Sequence, residues 1–284
     1  MNQVASARDI RRRIRGVRNM QQITKAMKMV AASKLRKAQE KVIAARPYAR
    51  QLQEVLARLA QDQADVTHPL LMERPVQRVG YIIITSDRGL CGGYNTNLIR
   101  MTNSSIAEET HDVRLVAVGR KGRDFYRRGK IETIAEFVGL GDNPSYGQAK
   151  EIAQEVIGLY ESGELDEVYL LYNEFVSAIS QRPTRIKLLP IEKPKQVSNT
   201  EYIFEPSAEE ILTTLLPKYV ETQVFRTLLE GKASEMGAKM TAMGAATDNA
   251  KEAIERLTLQ LNRARQAAIT TEISEIVGGA SALE

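Results

Sequence analysis

From Ile10 onward, apolar and small residues return at alternating four- and three-residue steps. The repeat runs Ile14, Val17, Gln21, Thr24, Lys28, Ala31, Leu35, Ala38, Val42, Ala45, Ala49, Leu52, Leu56 and Leu59. A pattern sustained for seven heptads is the signature of a helix that presents one seam to another helix. Only Gly16 and Pro47 interrupt its helix propensity, and Pro47 predicts a kink or local bend. A helix of about 55 residues is roughly 80 Å long at ~1.5 Å per residue, too long for a compact domain to bury, and is expected to protrude. A second repeat runs Phe225, Leu229, Lys232, Met236, Lys239, Met243, Ala246, Ala250, Ala253, Leu257, Gln260, Ala264 and Ala267, and predicts one helix over 208–278. Pro206 suits its entry and Pro217 predicts a bend near its start. Gly231, Gly237 and Gly244 each weaken helix propensity by about 1 kcal/mol relative to Ala, which predicts that another helix approaches closely there.

Between the two repeats the period changes. Val79–Thr85 (VGYIIIT) is a short β-branched run, the mark of a buried strand, and 114–118 (RLVAV), 168–172 (VYLLY) and 184–189 (TRIKLL) read as further strands. Helices are expected over 95–109, 122–128 and 145–161, the last with Ser145 as its N-cap. Strands alternating with helices predict a small doubly wound sheet. The fold class is therefore α plus α/β: a long antiparallel coiled coil of N- and C-terminal helices with an inserted Rossmann-like α/β domain. Its parts are a coiled-coil helix over 1–60, a central domain over 75–195 and a pairing helix over 207–284.

Composition sharpens this picture in two places. Aromatic residues make up 5% and Trp is absent, so the core must be aliphatic and Ala-rich, which favours helix-on-helix packing. The net charge of +5 conceals an asymmetry: residues 1–50 hold 14 Lys and Arg against Asp9 and Glu40 alone, while the remainder is net acidic. A basic arm of this kind suits an acidic partner, nucleic acid or an anionic membrane, or is simply a solvated helix face. No apolar run approaches the roughly 20 residues that span a bilayer, and the N-terminus lacks the apolar core of a secretory signal. With the single Cys91, neither an internal disulfide nor a thiolate-rich metal site is expected.

Few residues suggest chemistry. There is no G-x-x-x-x-G-K-[ST] loop, and the G-x-G-x-x-G pattern begun by Gly139 and Gly141 meets Pro144 where its third glycine belongs. His68 and His111 show no metal-ligand spacing, so no cofactor or metal is expected. The strongest candidate is the turn Thr85–Asn95 (TSDRGLCGGYN), which follows a strand at the edge where open α/β sheets bind ligands. Its Ser-Asp pair lacks a histidine base and Cys91 lacks an activator, so a tight, glycine-permitted turn is the simpler reading. Two functional classes remain: a mechanical or interaction subunit with long helices as lever or axle, and a basic coiled-coil protein that binds nucleic acid. Residues 1–47 contain no aromatic side chain for base stacking, and the heptad commits one helix face to another helix. Both observations weigh against nucleic acid.

Collinear stretches at both ends and in the middle of the chain carry a family resemblance. Ile23–Lys37 (ITKAMKMVAASKLRK) resembles the N-terminal signature of the gamma subunits of bacterial F-type ATP synthases. Ser86–Asn95 (SDRGLCGGYN), with the VGRKG of Val118–Gly122, resembles their central-domain motif. Leu261–Ala267 (LNRARQA) and Ile269–Leu283 (ITTEISEIVGGASAL) are similar to their C-terminal signature.

That resemblance implies a non-catalytic central rotor shaft in a proton-translocating complex, peripheral to the cell membrane on its cytoplasmic side. The implied partners are the alpha3beta3 catalytic ring, the epsilon subunit and the membrane c-ring, with no nucleic acid. Met27 and Lys28 match the signature that faces an acidic lever of a beta subunit, and Lys25, Lys34, Arg36 and Lys37 extend its positive face. Arg265 and Gln266 resemble the pair that hydrogen-bonds a catch loop of a beta subunit. Ile276–Leu283 would form a tip turning in an apolar sleeve. Tyr202, Phe204 and Glu205 occupy the stretch resembling the foot that meets the membrane ring beside epsilon. Plant members carry a regulatory cysteine pair, so a chain with Cys91 alone is not expected to be under thiol control.

Overall fold

A computed structural model describes residues 7–62, 68–129, 131–192 and 208–281. The long first helix, α1, spans Ala7–Asp62 and runs unbroken through Pro47. All of its buried residues fall on the 4-3 repeat: Ile10, Ile14, Thr24, Ala31, Leu35, Ala38, Val42, Leu52 and Leu56. Lys28 breaks the pattern and is exposed. The last helix, α5, spans Ala208–Ser281 and continues through Pro217.

Five strands form the sheet: β1 (Arg78–Ile84), β2 (Asp112–Val118), β3 (Glu132–Phe137), β4 (Glu167–Phe175) and β5 (Gln181–Leu189). Between them lie α2 (Tyr94–Glu108), α3 (Arg120–Tyr126) and α4 (Tyr146–Glu161). The order is β3-β2-β1-β4-β5, with β1 to β4 parallel and β5 antiparallel to β4. One face packs Tyr81, Ile83 and Leu115 against Leu98 of α2 and Tyr126 of α3. The other packs Ile82, Ile84 and Val116 against Ile152 and Val156 of α4, and against Val220, Val224 and Leu228 of α5. The sheet is thus doubly wound, and the strand order reverses at β1, between β2 and β4.

Strand β3 is absent from the sequence-based expectation. It lies at the sheet edge and only part of each side chain is covered, so ETIAEF carries two exposed glutamates and no apolar run. The cap of α4 matches expectation in full: the Ser145 hydroxyl accepts from Gln148 N and the Gln148 side chain accepts from Ser145 N.

Two compact units divide the molecule, one formed by residues up to Val30 with those from Ala242 onward, the other by Ala31–Thr241. In the first, α1 and α5 pair antiparallel: Thr247 Oγ1 donates to Thr24 Oγ1 at 2.8 Å, and Gly244 lies under the Lys28 side chain. In the second, α1 contributes Leu35, Ala38 and Val42 and α5 contributes Leu229, Ala233 and Met236 to a shared core. Of the three glycines expected to admit another helix, only Gly244 does so. A Cβ on Gly231 would meet Ile84 and Tyr94, and one on Gly237 would meet the backbone of Ala178 in the β4–β5 turn. These two glycines let α5 approach the α/β domain instead.

Candidate partner interface

The turn after β1 is built as a joint. Thr85 Oγ1 accepts from Gly122 N at 2.8 Å and points its own proton toward Val118 O at 3.1 Å, tying the ends of β1 and β2 to α3. Gly119 makes the crossing possible. Its φ of 93° lies in the left-handed region, and a Cβ there would stand 2.7 Å from Thr85 C. Ser86 Oγ donates to Arg88 O at 2.6 Å, and Asn95 Nδ2 donates to Ser86 Oγ at 2.8 Å. Asp87 Oδ1 accepts from Arg120 N and Gly139 N, at 3.0 and 3.1 Å. Burial pushes the Cys91 thiol up, away from the reactive thiolate. Tyr94 donates to Gly231 O of α5 at 3.0 Å, and Asn173 bridges Tyr94 O to α5 because its own carbonyl accepts from Ser234 Oγ. The side chains singled out as candidate chemistry thus tie the end of β1 to β2 and α3, and Tyr94 ties the turn to α5.

The positions assigned to partners fall on exposed helix surface or outside the described residues. Lys25, Lys28 and Lys37 are exposed, and Met27 is half-buried. Arg36 pairs with Glu40 one turn along at 3.2 Å. Lys34 differs: its Nζ lies 2.7 Å from Asp142 Oδ2, so this ammonium already has a carboxylate within the chain. Lys34 holds the Asp142 carboxyl below its ordinary value, first through that hydrogen bond, with Lys232 adding to the effect from 3.4 Å. Arg265, Gln266 and Ile276 are exposed. Tyr202, Phe204, Glu205 and Leu283 lie outside the described residues.

Sequence reasoning named Met27, Gln266 and Ile276 but missed the exposed apolar residues that line up with them. Met20, Ile23, Met27 and Val30 form a stripe one position off the heptad, and all but Met27 are more than half exposed. On α5, Leu259, Gln266, Ile269, Ile273 and Ile276 line up with the same spacing, and Ile276 is 71% exposed. The signal was present as apolar residues outside the a and d positions, but a search for one seam passes over it. Rows of exposed large aliphatic side chains are a common feature of interaction surfaces. Among the described residues, no helix is long and apolar enough to cross a membrane.

Comparison with known proteins gives a consistent result. The family described as ATP synthase matches residues 6–283. The ATP synthase gamma chain of Heliobacterium modesticaldum is 59% identical over 286 residues, covering 97% of this chain and 98% of the relative. That of Desulforamulus reducens is 57% identical, covering 99% and 100%. Among solved structures, a chain from the central stalk and c-ring of Tetrahymena thermophila mitochondrial ATP synthase is 28% identical. It superposes with a TM-score of 0.62 over 79% of this chain and 99% of that one. A chain of the Euglena gracilis mitochondrial enzyme, 19% identical, shares the fold with a TM-score of 0.70 over 98% and 94%.

Proposed function

We propose a mechanical role for this chain, which belongs to the ATP synthase gamma-chain family: it is the central rotor stalk that couples a turning membrane ring to the catalytic subunits. It performs no chemistry itself. Its helices stand inside a ring of three alpha and three beta subunits, and the shaft lacks the near-threefold symmetry of that ring. Each beta subunit therefore meets a different face of the shaft. A contact that favours one conformation of a nucleotide site over another shifts that site's population by the difference in contact energy. Rotation presents the three faces in turn, and so drives each site through its states.

The observation that carries this reading is the pair of exposed apolar rows, one beside the buried seam of α1 and one toward the end of α5, where the helix is exposed on every side. On α1, Met20, Ile23, Met27 and Val30, flanked by Lys25, Lys28 and Lys37, suit an acidic, partly apolar lever. Arg265 offers a planar fork that holds a carboxylate through two bonds, with Gln266 beside it. Ile276 and Leu283 belong to a tip that turns against an apolar sleeve, where the lack of directional bonds keeps the barrier to rotation low. Tyr202, Phe204 and Glu205 form the foot on the c-ring beside epsilon. In this reading the three parts, 1–60, 75–195 and 207–284, are shaft, hub and shaft. The complex holds the chain at the cytoplasmic side of the cell membrane.

Photo-crosslinking tests it. A benzophenone amino acid at Met27 or Ile276, in cells expressing the whole complex, should yield adducts with the large ATP-binding subunits. Adducts confined to RNA, or none to those subunits, would overturn the assignment and restore the nucleic-acid reading.

A further inference from the structure

A cavity of about 380 Å³ opens between α1 and α5, away from the central turn and from the exposed stripes. Its walls are Ala45, Tyr48 and Ala49 of α1, Tyr146 at the start of α4, and Phe225 of α5. Tyr146 and Phe225 stand edge to face at 5.7 Å, which fixes the aromatic side of the chamber. The remaining lining residues, Lys218, Thr222 and Arg226, recur at four-residue intervals and so share one face of α5.

The polar groups along that face are incompletely used. Thr222 is only 5% exposed, yet its Oγ1 makes no hydrogen bond. The neighbouring Tyr146 gives its own proton to Glu221 Oε2 at 2.6 Å. Arg226 Nε is also buried without a hydrogen bond, and its ion pair with Glu230 is a long one, at 3.7 Å. A buried donor left without an acceptor destabilises the site that contains it. Rotation of Thr222 about χ1 exchanges its methyl and hydroxyl positions, and helical threonine adopts both rotamers readily. Lys218, on the exposed side of α5, adds a second positive charge at the rim.

We propose that this cavity binds a small amphipathic carboxylate: one acid group on an aromatic or branched apolar body. The volume lies at the lower end of the range for small-molecule sites, where a few polar groups orient a mostly apolar ligand. The body packs between Tyr48, Tyr146, Phe225 and the two alanines. Its carboxylate accepts from the guanidinium of Arg226 and lies within the field of Lys218. A planar monoanion suits this donor set, whereas phosphate, with more charge and more acceptors, needs a wetter site with more donors. The ligand joins α1 to α5, so occupancy stiffens the helix pair where it meets α4. None of this depends on the rotor assignment.

The test uses the full chain and 1-naphthylacetate as the probe, with neutral 1-naphthylacetamide as its control, followed by ligand-observed NMR titration. The acid should bind one per chain with a Kd of about 1 mM or tighter, as expected for a ligand of this size. The amide should bind at least tenfold more weakly. Arg226→Gln should lose about tenfold in affinity for the acid and Thr222→Val about threefold. Ala49→Leu, which fills the chamber with a side chain that favours helix, should abolish saturable binding. Each variant's circular dichroism melt separates a lost site from a lost fold. The proposal fails if the wild-type chain shows no saturable binding at several times that concentration, if acid and amide bind alike, or if a folded Ala49→Leu chain binds as wild type does.

Discussion

Alanine at Gly119 should cripple the α/β domain, whereas alanine at Gly139 should be tolerated, although both glycines have positive φ, 93° and 76°. Each substitution forces a Cβ into the left-handed region, at a cost of about 1–2 kcal/mol. At Gly139 nothing lies within 4 Å of the added atom, so this is the whole effect. At Gly119 the new Cβ would stand 2.7 Å from Thr85 C and 2.8 Å from Thr85 Oγ1, and would overlap Thr85 O outright. Overpacking against backbone adds about 1–3 kcal/mol. The displaced Thr85 hydroxyl also leaves Gly122 N and its own proton without partners, and a buried unsatisfied group costs about 1–3 kcal/mol. Gly119→Ala should therefore lose about 3–8 kcal/mol, comparable to the whole stability of many domains. Urea unfolding of the two full-length variants, followed by circular dichroism, measures the difference in midpoint. If the midpoints agree to within the equivalent of about 0.5 kcal/mol, the joint between β1, β2 and α3 is not the steric knot described.

Other substitutions separate other effects. Gly16→Ala, with nothing within 4 Å of the added Cβ, should stabilise α1 by about 1 kcal/mol in thermal melts; Gly237→Ala should gain less, because its Cβ would press on Ala178 O at 3.1 Å. Glu230→Gln should raise stability at pH 7 and flatten its pH dependence. Burial is the main cause that raises this carboxyl's pKa above 4.5, so its favourable contribution is complete below pH 4.5 and is lost as pH climbs through the raised value. A melt at pH 7 in which Glu230→Gln is less stable than wild type would show instead that pairing with Arg226 outweighs burial. Asp142→Asn should cost the free chain no more than about 1 kcal/mol, because the Lys34 pair is 40% and 44% exposed. Ile276→Glu should leave the melting of the free chain unchanged yet reduce turnover of the assembled complex; normal turnover would remove this position from the interface.

How much of this was legible in the sequence depends on what holds each element. The α1 seam was readable because burial there follows a single period from Ile14 to Leu56. The α5 seam was only partly readable. From Val220 to Val224 and again from Ala233 to Ala238 every residue is buried, since α5 packs against both the sheet and α1, and no single-face pattern describes a helix covered on all sides. Gly231 and Gly237 were assigned to the wrong neighbour for the same reason. Strand β1 announced itself through Ile82, Ile83 and Ile84; β3 did not, because an edge strand needs few apolar residues. The Lys34–Asp142 pair joins residues far apart in the chain, a separation that no local spacing encodes. It also withdraws one cation from a set that sequence alone treated as uniformly available.

The uneven burial of α5 bears on assembly. Tertiary contacts hold the helix along Val220–Ala238, but from Lys251 onward most residues are exposed, and beyond Gln266 every described side chain is. A helix without tertiary contacts is only marginally favoured in water, because the entropy lost in fixing each residue nearly cancels its hydrogen bond. Free-energy cost of opening should therefore fall along one continuous element, and amide hydrogens in its last turns should exchange far faster than those near Ala233. A partner that encloses those turns contributes the missing burial, and ordering the helix subtracts from the binding energy it gains. Insertion of this end would then resemble coupled folding more than the docking of a finished rod, and its affinity would depend on helix propensity at positions that touch nothing.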